Sequence, residues 1–436
     1  MPDPVDVAHL LRRTGFVADP ARVAALAAQP WDVTVDQLLD TTGVPSDTEP
    51  AFFSEGLADW QLERQLQLWW LERMRTAPVP IVERMALFWH GHFATENQKV
   101  GDSLLMYRQN ALFRRLALGS FRQLVQEMSV QPAMLAYLDN DKNRKGAPNE
   151  NFARELMELF TLGVNEYSQP DVVASARAWT GHNTLDGDPR QYHFYLNRHD
   201  TDPKTFMGET RAWDGPEIID YLLDENPTTQ ATAARFIARK LFGHLAYPDP
   251  PDAVLGAIAA EFVAADLEIR ALVRAILLHP AFLSPEARAG HVRTPVEWVV
   301  CALQVLGLDA PATNPQWWLY DMGQLPFEPP HVAGWEDNGF WLSTGNVWAR
   351  ANFARHATWR IYSAGTGLLA ETKAMTVPAA VQRAFDVFTI DTPSPATRAR
   401  LEEWLAAQRG DGSAWRELQV LNLITLMMLT PEFTIA

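Results

Sequence analysis

The chain has almost no cysteine and no segment typical of a membrane or exported protein. Cys301 is the single cysteine among 436 residues, so the chain can form no intrachain disulfide and no cysteine-based metal site. Cys301 lies in an apolar helical run, which indicates a core position rather than a nucleophile. No apolar run reaches the roughly 18 residues that a membrane span needs. The N-terminus, Met-Pro-Asp-Pro-Val-Asp, has no basic region followed by an apolar one. We therefore expect a cytoplasmic protein with no signal peptide and no transmembrane segment.

Basic charge is also scarce. The chain has 37 Lys and Arg against 53 Asp and Glu, a formal net charge of −16. This acidic balance argues against nucleic acid or an anionic membrane as the main partner, because both require a basic surface. The sequence also contains no P-loop, no glycine-rich dinucleotide turn, no G-x-S-x-G and no H-E-x-x-H. We expect an acidic protein that uses neither a nucleotide nor a flavin and binds neither nucleic acid nor membrane.

The spacing of apolar residues predicts the fold class. Hydrophobic residues make up 47% of the chain, enough for a large core. Most segments repeat apolar residues at a period near 3.6, and very few alternate. We predict an all-α fold, a compact multi-helix domain with long irregular loops and at most a minor β-hairpin. The hairpin is expected near Tyr192, Phe194 and Leu196, which alternate within a long non-helical stretch.

We divide the predicted structure near residue 290. Residues 1–290 are expected to form a helical core that carries a polar cluster of His and Glu. Residues 291–436 are expected to form a C-terminal helical segment packed on that core. This segment includes an irregular aromatic loop at residues 324–346.

The chain is organised around the stretch from Asn149 to Gly163, which reads as one amphipathic helix. Asn149 is a natural N-cap and Gly163 a natural stop. The two faces of this helix are an apolar stripe of Phe152, Leu156, Leu159 and Phe160, and a polar face of Asn151, Arg154, Glu155 and Glu158. The polar face is either solvated or the floor of a polar site. Its E-x-x-E spacing recurs where helices project carboxylates onto a metal, whereas Arg154 could simply be their counter-ion.

Two histidine-bearing segments flank this helix in the sequence. His90-Gly91-His92 is an H-x-H pair, a common way to supply two imidazole ligands from one segment. The alternative is two histidines at a helix C-terminus, where the dipole favours imidazolium. In His199-Asp200 the carboxylate can ligate a metal or orient the imidazole, or the pair can be part of an ordinary turn.

The stretch from Phe327 to Trp335, continuing to Trp341 and Asn346, combines prolines, glycines and aromatic residues. It could wall a pocket with aromatic faces, or it could be a packed connector. The residues that we predict to bind substrate are Asn149, Asn151, His331, Trp335 and Trp341.

These motifs together resemble the bacterial family named domain of unknown function 1800, over nearly the whole chain. The residues that carry the resemblance are His9-Leu-Leu-Arg-Arg-Thr-Gly-Phe16, Glu83-Arg-Met-Ala-Leu-Phe-Trp-His-Gly-His-Phe93, Asn149-Glu-Asn-Phe-Ala-Arg-Glu-Leu-Met-Glu-Leu-Phe-Thr-Leu-Gly163, His199-Asp200, Lys204-Thr-Phe-Met-Gly208 and Phe327-Glu-Pro-Pro-His-Val-Ala-Gly-Trp335.

The resemblance implies no established activity. Family members often resemble exported proteins found beside sulfatase-like proteins, so it implies a sulfatase-like partner. It supports a candidate metal-ligand set of His90, His92, Glu155, Glu158, His199 and Asp200. The family pattern has Trp where this chain has His182, so His182 is not included among the predicted ligands.

Our leading functional hypothesis is a metal-dependent enzyme that acts on a small-molecule, peptide or glycan ligand. A hydrolytic reaction is favoured over a redox reaction. The predicted ligands suit Zn, Mn or Fe(II) without separating them. Glu155, Glu158 and Arg154 are the predicted catalytic residues, with a spare carboxylate as general base. Two alternatives stay open. One is a non-catalytic helical binding or scaffold protein whose polar cluster is a buried hydrogen-bond network, and the other is a non-haem iron oxygenase.

Overall fold

The computed structural model describes residues 1–45, 47–364, 371–372, 375–409 and 417–435. Within these ranges the chain forms 24 α-helices and two small two-stranded sheets, so the predicted all-α class is confirmed. The first half contains α1 Pro4–Thr14, α2 Pro20–Ala27, α3 Trp31–Leu38, α4 Asp59–Thr76, α5 Pro80–His92, α6 Asn97–Val100, α7 Ser103–Arg115, α8 Phe121–Ser129, α9 Pro132–Tyr137, α10 Asn151–Glu155, α11 Gln169–Ala178 and α12 Gly215–Asp220.

The second half is also helical. Its helices are α13 Pro227–Leu245, α14 Asp252–Ala264, α15 Ile269–Leu278, α16 Pro285–Ala289, α17 Pro295–Leu306, α18 Ala310–Thr313, α19 Gln316–Asp321, α20 Thr344–Ala364, α21 Val377–Val387, α22 Pro395–Arg409, α23 Glu417–Met428 and α24 Pro431–Thr434. Short 3-10 turns lie at Ala51–Ser54, Asn140–Lys142, Leu196–Arg198, Pro280–Leu283 and Asn338–Leu342. The sequence predicts a helix over residues 413–429; it is observed as α23, and residues 413–416 lie outside the described ranges.

Both sheets are hairpins in the long stretch that the sequence marked as non-helical. Strand β1 (His182–Leu185) pairs antiparallel with β2 (Asp188–Phe194), with His182 opposite Phe194. Strand β3 (Lys204–Phe206) pairs with β4 (Glu209–Arg211). The predicted minor hairpin is therefore observed, and a second, shorter one follows it.

The helix that organises the sequence changes its winding in the middle. It is α-helical over α10 and becomes a π-helix from Leu156 to Thr161, where the Leu162 amide donates to the Met157 carbonyl, five residues back. The Thr161 hydroxyl also donates to the Leu156 carbonyl. Short π-helical turns inside helices are rare and often occur at functional sites. The apolar spacing gave no sign of this extra residue, because Phe152, Leu156 and Phe160 are buried in either winding.

One hydrophobic core runs through the described chain, from Val7 in α1 to Phe433 in α24. Cys301 is fully buried in it, as its apolar neighbours predicted. Helix α17 packs against α4 across the proposed boundary near residue 290, and the division there stays a prediction. Among the described residues, no helix combines the length and the apolar character that crossing a bilayer requires.

Candidate metal centre

His90 and His92 lie at the end of α5 as predicted, but they do not face a common centre. The His90 Nε2 atom accepts the backbone amide of Phe327 at 3.0 Å. His92 Nε2 donates to the Phe160 carbonyl at 3.0 Å, and its Nδ1 accepts from Lys240 Nζ at 2.9 Å. Burial lowers the pKa of His90 to about 3, so the ring is neutral. Both imidazoles hold neighbouring segments in place.

Glu155 and Glu158 are half-buried, and among the described residues they form no group of metal-ligand spacing with those histidines. Glu158 accepts a hydrogen bond from the Tyr167 hydroxyl. Burial and the charge of Glu158 raise the pKa of Glu155, and Arg154 opposes them. Arg154 itself pairs with Glu150 at 3.1 Å and donates to Gln169 at 2.9 Å. Arg154 is therefore an ion-pair partner on the helix surface.

His199 and Asp200 have different roles. Asp200 accepts from Arg177 Nε at 2.7 Å and from the Asp202 amide at 3.0 Å. Burial raises the pKa of Asp200, but these hydrogen bonds outweigh it and the net shift is downward. His199 Nδ1 instead donates to the Thr180 carbonyl at 2.8 Å. Asp200 is therefore part of an ion pair, and only His199 keeps a free ring nitrogen.

The residues predicted to bind substrate are spread over several environments. The Asn149 side chain accepts the Asn151 amide at 2.9 Å, but the N-cap of α10 is Glu150 and not the predicted Asn149. Asn151 and His331 are exposed, Trp335 is half-buried against His90, and Trp341 is fully buried. The structure does not bring these five side chains to one surface.

Over the described part of the chain, one group of His, Cys, Asp and Glu has the spacing of a metal site. It consists of His182, His199 and Asp214, whose candidate ligand atoms all lie within 4.8 Å of one another. His182 and His199 are buried, whereas the side chain of Asp214 is 39% exposed. Two imidazoles and a carboxylate suit zinc or iron(II). Of the six predicted ligands, the structure includes His199 alone in this group.

Hydrogen bonds hold the two imidazoles in place. Because His199 donates its Nδ1 proton to a backbone carbonyl, its Nε2 lone pair is available to a cation, which is the usual arrangement of a metal-binding histidine. His182 Nε2 lies 2.6 Å from Asp214 Oδ1, and its Nδ1 lies 2.8 Å from the Tyr192 hydroxyl. A tyrosine hydroxyl both donates and accepts. When Nε2 acts as a metal ligand, Nδ1 carries the proton and the Tyr192 hydroxyl can accept a hydrogen bond from it.

The backbone around the centre brings distant segments together. Gly181 has φ +84°, and a Cβ there would lie 2.6 Å from the Tyr195 carbonyl oxygen, so the turn before β1 requires glycine.

Asp214 is the N-cap of α12. Burial raises the pKa of Asp214, but the hydrogen bond and charge of His182 outweigh it and the net shift is downward. The ionised form of Asp214 is thus favoured, which is the form that a carboxylate ligand requires.

A second polar region lies under the loop at residues 333–337. A cavity of about 140 Å³ separates this loop from α5 and α13. Lys240 lies in it, and burial lowers its pKa to about 8 against the opposing charge of Asp337. Two buried atoms that line the cavity, His244 Nε2 and Trp335 Nε1, have no hydrogen-bond partner in the part of the chain that the structure describes.

Sequence reasoning missed two of the three residues in the metal-site group. The resembling family pattern has Trp at the position of His182, so that residue is not among the predicted ligands. Asp214 has an ordinary local role as the N-cap of α12, so nothing in its own sequence context marks it as a ligand. One signal was available: His199 lies in the long non-helical stretch predicted from Asn183 to Gly215, His182 directly precedes this stretch, and Asp214 lies near its end.

A family model described as "Protein of unknown function (DUF1800)" matches residues 9–435. No curated protein and no solved structure matches the chain.

Proposed function

The chain belongs to the DUF1800 family of proteins of unknown function, and from the geometry of His182, His199 and Asp214 we propose that it is a metal-dependent enzyme, more hydrolytic than redox. One observation carries the proposal. The Nδ1 proton of His199 is engaged by the Thr180 carbonyl at 2.8 Å, which leaves Nε2 as the nitrogen available beside His182 and Asp214.

Three protein ligands leave an open position on a bound divalent ion. Water in such a position has a pKa lowered to about 7 and becomes a nucleophile near neutral pH. Asp214 and Tyr192 are partly exposed, at 39% for the Asp214 side chain and 37% for Tyr192, so a substrate can reach this side of the group from solvent. This arrangement supports hydrolysis of an ester, a phosphoester or an amide.

The experiment compares hydrolysis of chromogenic esters, phosphoesters and peptide anilides by metal-loaded and chelator-treated protein. We expect metal-dependent turnover of at least one of these classes, lost in His199→Ala and in Asp214→Asn. His193→Ala is the matched control, because His193 is an exposed histidine on the same hairpin. Turnover that survives in His199→Ala, or no turnover of any class by the metal-loaded protein, contradicts the proposal.

A second candidate is a non-haem iron oxygenase. The observation that favours it is the donor set, since two histidines and one carboxylate with open positions are typical of iron(II) oxygenases. Oxygen consumption that requires iron(II) and is lost in His199→Ala would favour this reading over hydrolysis.

The third candidate is a non-catalytic binding or scaffold protein. It is favoured by a buried charge network in which Arg84 lies 2.8 Å from Glu297 and His291 lies 2.7 Å from the same carboxylate. Such networks can serve structural specificity alone. Stoichiometric binding of a partner by a protein that takes up no metal would support it.

The setting of the protein is also a proposal. We propose a sulfatase-like partner, which the family resemblance supports, and a cytoplasmic location. Co-purification of a tagged chain from fractionated cells tests both, with a sulfatase-like protein in the cytoplasmic eluate as the expected result.

A further inference from the structure

A groove of about 750 Å³ lies between α4, α19 and the residues that follow Leu325. Three aromatic rings line it and are open to solvent: Trp60 is 65% exposed, Trp317 66% and Tyr320 70%. Single exposed aromatic side chains are common, but several of them along one groove are typical of a ligand-binding or interaction site. The rings of Trp60, Trp317 and Tyr320 therefore offer three apolar surfaces on which a ligand can stack, with polar side chains between them.

The groove also has hydrogen-bond acceptors that lack donors. Asn97 is 2% exposed, and its amide nitrogen donates to Asp59 and Ser103. Gln316 is 6% exposed, and its amide nitrogen donates to the Arg64 carbonyl. The amide oxygens of Asn97 and Gln316 have no partner among the described residues. Buried polar atoms without a partner cost about 1–3 kcal/mol each, and a ligand with hydroxyl groups would satisfy them.

The charge of the groove restricts that ligand. The side chains of Asp59, Glu63, Glu96 and Glu328 line it, with Arg64 as the cation beside them. Burial, a hydrogen bond to Glu63 and the neighbouring charges raise the pKa of Glu328 to about 9, so its carboxyl group is protonated near neutral pH and can donate as well as accept. An anionic ligand would be repelled here.

We propose that this groove binds an uncharged oligosaccharide. The C–H faces of pyranose rings carry partial positive charge and pack on the negative faces of aromatic rings. Hydroxyl groups of the same sugar donate to the free oxygens of Asn97 and Gln316 and meet the paired carboxyls of Glu63 and Glu328. None of these residues belongs to the His182, His199 and Asp214 group, so binding here is independent of the proposed metal and of the proposed reaction.

Isothermal titration calorimetry of the full chain tests this with cellohexaose, chitohexaose, mannohexaose and maltohexaose, and with anionic trigalacturonate. We expect at least one neutral hexasaccharide to bind and trigalacturonate not to bind. Trp317→Ala should weaken binding about tenfold or more, because one stacking platform is lost. Trp359→Ala, which removes an exposed tryptophan outside the groove, is the matched control and should leave the affinity unchanged.

Binding should persist with chelator and in Asp214→Asn, which separates this result from the fate of the metal centre. The proposal is overturned if no neutral hexasaccharide binds, or if Trp317→Ala and Trp359→Ala bind equally well. It is also overturned if a proline-rich peptide occupies the groove while the saccharides do not.

Discussion

The backbone of Gly334 lies directly against that of Gly91. A Cβ at Gly334 would lie 2.2 Å from the Gly91 carbonyl oxygen, and the φ of Gly334 is +84°. This contact joins the loop at residues 324–346 to the histidine-bearing end of α5. It also closes one side of the cavity around Lys240.

Gly334→Ala should therefore destabilise the protein by more than the cost of its backbone conformation. A positive φ alone costs a non-glycine residue roughly 1–2 kcal/mol, and the clash with Gly91 adds to it. Gly208→Ala is the control, because Gly208 has φ +86° and a Cβ there would meet nothing within 4 Å. Urea unfolding of both variants measures the difference. Equal losses of unfolding free energy would show that the two backbones separate easily.

Lys240→Met should change how stability depends on pH. Burial lowers the pKa of Lys240 from 10.5 to about 8, so between these values the unfolded chain binds more protons than the folded one. The unfolding free energy of the parent should then rise as pH increases from 8 to 10.5, by about 3 kcal/mol from this group. Urea unfolding across that range should show a smaller rise in Lys240→Met, and identical slopes would contradict the assignment.

Glu155→Gln should be neutral or mildly stabilising at neutral pH. Burial and Glu158 raise the folded-state pKa of Glu155, so the stability that this group contributes is present below its unfolded pKa and is lost as pH rises through the folded value. The change should be less than about 1 kcal/mol, because the side chain is only half-buried. Thermal melts with chelator and with added metal check it. A metal-dependent gain in Tm that disappears in Glu155→Gln would restore this carboxylate to the ligand set.

Tyr192→Phe should weaken metal binding without removing a ligand. Without its hydroxyl, the Nδ1 atom of His182 loses its hydrogen-bond partner, and such outer partners are worth about 10–100-fold in metal affinity. Tyr195→Phe is the control, because the Tyr195 hydroxyl accepts the Asp186 amide on the same hairpin. Equal metal affinity in the parent and in Tyr192→Phe would show that the tyrosine does not support the ligand.

Features that depend on the spacing of nearby residues could be predicted from the sequence. Helical periodicity gave the fold class, alternation around Tyr192 and Phe194 gave the first hairpin, and His90 and His92 were correctly placed at a helix end. The sequence was not enough for contacts between distant segments. The partners that occupy His90 and His92, such as the Phe327 amide and Lys240, are far away in the chain.

The metal-site group was hidden for the same reason. His182 and Asp214 meet because the two hairpins between them fold the chain back, and each residue has an ordinary local explanation. Asp214 reads as a helix cap, and His182 follows a helix end. The π-helix from Leu156 to Thr161 was hidden too, because one additional residue per turn leaves the same apolar residues buried.

Direct titration of the apo chain with zinc(II), manganese(II) and iron(II) tests the central claim that His182, His199 and Asp214 form a metal centre. We expect one ion per chain for at least one of these metals, with proton release on binding. Affinity should fall by at least about 100-fold in His199→Ala and in Asp214→Asn, and it should be unchanged in His193→Ala. No binding by the parent, or equal affinity in the parent and in His199→Ala, would contradict the claim.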